Sequence, residues 1–155
     1  MSSLRLALPS SLALCAALSL CACAPMALHK EVVASKNAPA AIGPYSQAIR
    51  FGDMLYVSGQ IAIDPLTNQP LSAGSIEDQT KLVIENLRAV LEANGMTLAD
   101  VVSTQVFVKD LNDFTRLNAV YGNYFKEAPP ARATVEVARL PRDMKVEISL
   151  IAGKK

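Results

Sequence analysis

The chain has 155 residues, enough for one domain and little more. Hydrophobic residues make up 51% and charged residues 19%, which excludes a disordered chain. With 15 Lys and Arg against 14 Asp and Glu the formal net charge is +1, and without Arg5 of the N-terminal segment the body is neutral. A large phosphate-binding surface, and with it a nucleic-acid partner, is therefore not expected, whereas a small anionic substrate needs only one well-placed Arg.

The first 20 residues carry one charge, Arg5, and then an apolar stretch interrupted by Pro9, Ser10 and Ser11. It is too short and broken for a membrane span, which takes about 20 apolar residues, and it reads as a secretory signal peptide. All three cysteines, Cys15, Cys21 and Cys23, lie in this region. The segment Leu20-Cys21-Ala22-Cys23 resembles a bacterial lipobox, in which a small residue precedes the lipidated Cys; Ala22 suits that position, so Cys23 is the lipidation candidate. The expected division is a signal peptide over residues 1–22, a tail or linker with a first short strand over 23–36, and a domain over 37–153. This places the domain in the periplasm, touching the membrane only through a lipid anchor. The alternatives are soluble export with cleavage near Ala22-Cys23-Ala24, or a cytoplasmic protein translated from Met26. Beyond Cys23 there is no cysteine, and the one histidine is His29. The body therefore offers no disulfide, no Cys nucleophile and no His- or thiolate-based metal site.

Residues 31–35 form a short strand candidate, and 37–44, with Pro39, Gly43 and Pro44, a loop. Residues 45–51 and 54–60 predict two strands joined by the hairpin signal Gly52-Asp53. Residues 64–74 are rich in turn formers. Ser75 then caps a helix reaching about residue 94, with Glu77 and Asp78 at its positive end and Gly95 as its stop. Leu82, Val83, Leu87, Val90 and Leu91 give it an apolar stripe. A β-branched strand is expected over 101–109. A second helix starts at Asp110 or Asn112, carries Phe114, Leu117, Val120, Tyr121 and Phe125, and ends before Pro129-Pro130. Residues 132–140 and 145–152 are the last two strands, joined around Pro141-Arg142-Asp143. Two helices can cover only one face of five or six strands, which points to an α+β layer fold.

The last two strands alternate. Ala133, Val135 and Val137, with Val146, Ile148 and Leu150, are expected on the helix-covered face. Arg132, Thr134, Glu136 and Ala138, with Lys145, Glu147 and Ser149, are expected together on the open face. That face reads either as a solvated surface with ion pairs worth about 0–1 kcal/mol each, or as one that meets another subunit with Arg132 and Glu147 in a shared cleft. Arg offers a planar fork for a carboxylate, and a Glu whose pKa is raised by burial can relay protons.

At these residues the chain becomes recognisable. Pro130-Ala131-Arg132-Ala133-Thr134-Val135, continuing through Ala138-Arg139-Leu140 to Val146-Glu147-Ile148, resembles the signature of the RidA/YjgF/UK114 family. The run from Ala38 through Ile42-Gly43-Pro44-Tyr45-Ser46-Gln47 to Ala48 is similar to its N-terminal motif. Val57-Ser58-Gly59-Gln60 and Val106-Phe107-Val108-Lys109-Asp110-Leu111-Asn112-Asp113-Phe114 match in the same order. The resemblance covers nearly all of the chain beyond residue 30 and leaves the leader outside.

It implies a chorismate-mutase-like (YjgF-like) subunit, a mixed sheet of five or six strands with two helices on one face, assembled as a homotrimer with clefts between subunits. It implies hydrolysis of reactive 2-imino acids to 2-oxo acids and ammonia, without metal or organic cofactor. Arg132 would clamp the substrate carboxylate, Glu147 would position water and pass protons, and Tyr45 would line the cleft and donate a hydrogen bond. Ser58, Gly59, Asn118 and Thr134 would complete the binding wall. Thr134 stands where many deaminases of the family carry Cys, so no thiol enters the chemistry. Read without the resemblance, Tyr45 is a packed turn aromatic, Gly59 a bulge, Asn118 a water-facing helix residue and Thr134 an ordinary strand residue. Two other functions stay open at this point: a non-catalytic trimeric binder of small carboxylates and, with less support, a ribonuclease.

Overall fold

The structure, a computed structural model, describes residues 29–154. Six strands pair in the order β1-β2-β3-β6-β4-β5: β1 is Lys30–Val33, β2 Ala48–Phe51, β3 Met54–Gln60, β4 Val101–Val108, β5 Ala131–Glu136 and β6 Val146–Gly153. Every neighbouring pair is antiparallel except β4 and β5. The two helices are α1, Ile76–Ala93, and α2, Phe114–Tyr124. This is the mixed sheet with two helices that the sequence predicts.

The elements form where local chemistry favours them. Ser75 accepts from the Asp78 N–H at 3.1 Å, and the Asp78 carboxylate reaches back to the Ser75 N–H at 3.3 Å, so two of the orphan donors at the start of α1 are satisfied. Gly52, at φ 61°, supplies the left-handed residue that the β2–β3 hairpin needs. β2 begins three residues later than expected, because Pro44 and a tight turn that bonds the Tyr45 N–H to the Gly43 carbonyl at 2.8 Å bend the chain first. β5 stops at Glu136 rather than near residue 140. Its partner β4 ends at Val108, and once the Val137 N–H has taken the Val108 carbonyl at 2.9 Å no ladder continues. The second helix opens with a 3-10 turn over Leu111–Asp113 before α2 proper.

Both helices lie on one face of the sheet. Val83, Ile84, Leu87, Val90 and Leu91 of α1 and Leu117 and Tyr121 of α2 are buried in one core with Leu55, Val57, Val106, Ile148 and Leu150. The helices run in the same direction: Arg116 pairs with Glu77 through two bonds of 2.6–2.7 Å, and two turns on the Tyr124 hydroxyl meets Glu85 at 2.8 Å.

The opposite face is less polar than the strand pattern suggests. The ladder sets Val32, Ile49, Tyr56 and Ile151 side by side there, with Phe51 and Val135 on the same face. Val32 is 65% exposed and Val135 46%. The row from Val32 to Ile151 is continuous across four strands, an exposed apolar area of the kind that suits an interaction surface.

Three buried amides fasten the loops to this frame. Asn86 of α1 donates to the Ile63 carbonyl at 2.9 Å and the Ile61 carbonyl at 3.4 Å. Gln79 donates to the Leu71 carbonyl at 2.9 Å and accepts from the Lys145 N–H at 2.8 Å. Gln47 accepts from the Ser35 N–H at 2.6 Å and donates to the Pro39 carbonyl at 2.6 Å. Removing one of them strands buried backbone groups. Asn86→Ala is expected to lower the unfolding free energy by about 1–3 kcal/mol, read as a reduced urea midpoint at unchanged slope.

Candidate functional site

The predicted residues fall into two groups on opposite faces of the sheet. Glu147 alternates with Val146 and Ile148, which are buried under the helices, and is paired with Phe107, so it projects to the open face. Opposite it β3 carries a bulge: Val57 pairs with Leu150 and Gln60 with Ile148, leaving Ser58 and Gly59 to face the single residue Ser149. The bulge brings Gly59 under the Glu147 side chain. A Cβ at position 59 would stand 2.8 Å from Glu147 Cδ and closer still to Oε1, so only glycine leaves room for the carboxylate.

The loop ahead of β2 closes this side. Gln47 ties it down from within, and the Tyr45 ring rises over Gly43, its hydroxyl accepting from the Ile42 N–H at 3.3 Å. The Ser58 hydroxyl donates to the Ser46 carbonyl at 2.7 Å, so its proton is spent and its lone pairs face outward as acceptors. Ile42, Tyr45, Ser58, Gly59, Ile61, Pro141 and Glu147 line an open cleft of about 320 Å³. Glu147 is the one charged residue among them. Half-burial pushes its pKa up from the ordinary 4.5, and no hydrogen bond or ion pair from the described residues offsets that shift.

The second group sits at the sheet edge. Arg132 of β5 pairs with Thr104, which in turn pairs with Leu150, so Arg132 faces the helices and not the open side. This corrects the expectation that Arg132 and Glu147 share one face; the expected placement of Val135 with Val146 and Ile148 fails for the same reason. The alternation of β5 suggests Ala and Val inward. The strand is an edge, however, and its parity is set by its pairing with β4 rather than by its own apolar residues. The polar set meets the margin of α2. The Arg132 guanidinium carbon lies 4.6 Å from the centre of the Tyr121 ring and 5.7 Å from that of Phe114. Phe114, Asn118 and Tyr121 follow at helical spacing, which puts Asn118 between the two rings.

Asn118 does not simply face water: its Oδ1, like the Thr134 Oγ1, is buried without a hydrogen-bond partner among the described residues. Arg132 spends none of its five donors on any described residue. One group thus holds a carboxyl with no cation and the other a cation with no anion, together with two unsatisfied buried polar atoms. Sequence reasoning missed Gln47, Thr104, Phe114 and Tyr121 as parts of the site. In the sequence the two aromatics read only as part of the apolar stripe of the second helix, and Gln47 only as one position of a motif.

Among the described residues no group of three or more His, Cys, Asp or Glu side chains is placed to hold a metal ion. No helix among them is long and apolar enough to cross a membrane. Cys23 and the rest of the expected signal segment lie outside the described residues.

The chain as a whole is similar to known proteins. The family model described as endoribonuclease L-PSP matches residues 35–154. A RutC family protein of Saccharolobus solfataricus is 56% identical over 125 residues, covering 81% of this chain and 98% of that protein. A 2-iminobutanoate/2-iminopropanoate deaminase of Salmonella typhimurium is 48% identical over 128 residues, again covering 81% and 98%. Among solved structures, the YjgF gene product of E. coli superposes with a TM-score of 0.77 at 44% identity, covering 81% of this chain and 99% of that one.

Two outcomes follow from the cleft. Gly59→Ala is expected to expel the Glu147 carboxyl from its seat with little loss of stability, because the new Cβ meets only the end of a flexible side chain whose charge the seat disfavours, checked by denaturant unfolding and by the Glu147 position in a crystal of the variant. The second concerns pH. A carboxyl whose folded pKa is raised favours the folded state fully below 4.5, and that contribution is lost as pH rises through the elevated value. Glu147→Gln is therefore expected to melt above the wild type at neutral pH, with the two melting curves converging below pH 4.5.

Proposed function

The chain belongs to the endoribonuclease L-PSP family, the family of the RidA/YjgF motifs, and from that premise we propose that it hydrolyses 2-imino acids to 2-oxo acids and ammonia at sites completed between copies of itself. The observation that carries this reading is the separation of Glu147 and Arg132: among the described residues neither has an ion pair or hydrogen bond, each is aimed away from the other, and neither half is a site alone. The exposed apolar sheet face supplies a surface for association, and a head-to-tail contact that closes after three copies would set the Arg132 edge of one subunit against the Glu147 cleft of the next. The deaminase names carried by relatives such as the Salmonella protein support the same chemistry.

In that pocket the Arg132 fork would take the substrate carboxylate through two parallel bonds, with the Asn118 and Thr134 oxygens beside it. The Glu147 carboxylate would accept a proton from water as the water oxygen bonds to the imino carbon and the C=N electron pair moves to nitrogen. With the substrate entering as its protonated imine, the same proton passed on to nitrogen makes an ammonium leaving group. Ammonia departs with the C–N electron pair as the carbinolamine hydroxyl gives its proton back to the Glu147 carboxylate and the C=O bond of the 2-oxo acid forms. Imines hydrolyse unaided in water, so orientation and a positioned acid–base group, worth about 10²–10⁴-fold, are sufficient. Tyr45, Ile42, Ile61 and Pro141 would wall the side-chain end of the substrate. Apart from the Arg132 contributed by a neighbouring copy, the cleft contains no Lys or Arg, and a single cation argues against an RNA backbone as its occupant.

The test is release of 2-oxo acid from a freshly generated 2-imino acid. Wild type is expected to accelerate it, and Arg132→Ala and Glu147→Gln each to lose about 10²–10⁴-fold. An equimolar mixture of the two inactive variants, unfolded and reassembled together, is expected to recover about a quarter of wild-type activity, because one heterologous contact in four pairs an intact Arg132 with an intact Glu147. Equal rates with and without wild type overturn the hydrolase reading, and saturable 2-oxo-acid binding without turnover would replace it with that of a carboxylate binder. No recovery in the mixture overturns shared sites.

A further inference from the structure

Resting on that reading, we propose that Tyr121 is a positioning residue for carboxylate recognition: its ring holds the Arg132 guanidinium by its face and leaves the N–H edge free for substrate. Arg132 has no hydrogen bond or ion pair from a described residue to orient it, yet its guanidinium carbon lies 4.6 Å from the Tyr121 ring centre. An arginine on the exposed edge of a sheet is otherwise free to sample many rotamers, and a fork whose plane is fixed beforehand engages both carboxylate oxygens at a lower entropic cost. A stacked aromatic is suited to this because it occupies the one part of the group that makes no hydrogen bonds.

Tyr121 is itself immobilised. It is buried, its hydroxyl shares a hydrogen bond with Thr104 Oγ1 at 2.8 Å, and its ring stacks on Phe125 at 4.5 Å. Thr104 is also the ladder partner of Arg132, so one β4 residue fixes both the backbone of the arginine and the ring beneath its side chain. Burial pushes the Tyr121 hydroxyl above its ordinary pKa, which keeps the ring neutral across the physiological range.

The experiment replaces Tyr121 by Phe and then by phenylalanines with increasing fluorine content, which keep the shape of the ring and drain its negative face. The Kd for 2-oxobutanoate, measured by calorimetry, and the KM for the imine are expected to rise together along the series by about 3–10-fold, with kcat changing less than KM. Tyr121→Phe is expected to recover most of the affinity lost in Tyr121→Leu. A flat Kd across the fluorinated series overturns the proposal, as does a Tyr121→Phe variant as weak as Tyr121→Leu, which would assign the effect to the hydroxyl. Should wild type neither bind 2-oxobutanoate nor hydrolyse the imine, the functional reading falls. The ring contact is then decided by NMR: Arg132 δ-proton resonances shifted upfield in wild type and in Tyr121→Phe sustain it, and random-coil positions in wild type overturn it.

Discussion

The site depends on one pairing, the parallel register of β5 against β4. Thr104 opposite Arg132 and Val106 opposite Thr134 decide that the polar residues of β5 look toward the helices. α2, which connects the two strands, lies on that same side. The arginine is consequently received by Tyr121 and Phe114, and the buried oxygens of Asn118 and Thr134 stand with it. A shift of one residue in that register would turn every β5 side chain over. Arg132 would then stand on the open face of its own subunit, and the division of the site into two halves would disappear.

The other half depends on space and solvation rather than on pairing. A bulge in β3 places a residue without a side chain beneath Glu147, and the carboxyl settles into that gap, half out of water and without a counter-charge. Its raised pKa is the electrostatic cost of that seat. The surrounding loops have little regular structure of their own, and they are held by side-chain amides: Gln47 under the Tyr45 turn, and Gln79 and Asn86 reaching from α1 to the segments around residues 61–74 and to Lys145. Each amide bonds backbone groups that the ladders cannot reach, so these loops are tied to α1 and to the turn before β2.

Dividing a cation and a carboxyl between two surfaces has a consequence for folding as well as for chemistry. Within one subunit neither charge is buried deeply enough to require neutralising by the other, so the monomer fold tolerates both. In the proposed assembly the apolar ladder face that includes Val32 and Tyr56 would supply, by burial, a driving force that the charges do not. Stability of the subunit and assembly of the proposed pocket therefore rest on different residues.

The sequence by itself determined the elements and their kind. Caps, turn glycines, prolines and apolar periodicity are local signals, and they placed six strands and two helices within a few residues, the main shifts falling at β2 and β5. Ordered motifs also identified the family and the residues worth watching, from Tyr45 to Glu147. Which way those residues face was decided only by the tertiary structure. The alternation of β5 is compatible with either face, and the choice is made by hydrogen bonds to β4, about 30 residues earlier in the chain. For the same reason the sequence showed Tyr121 as one more apolar helix position: a ring becomes a platform for Arg132 only when the sheet brings the two together across α2.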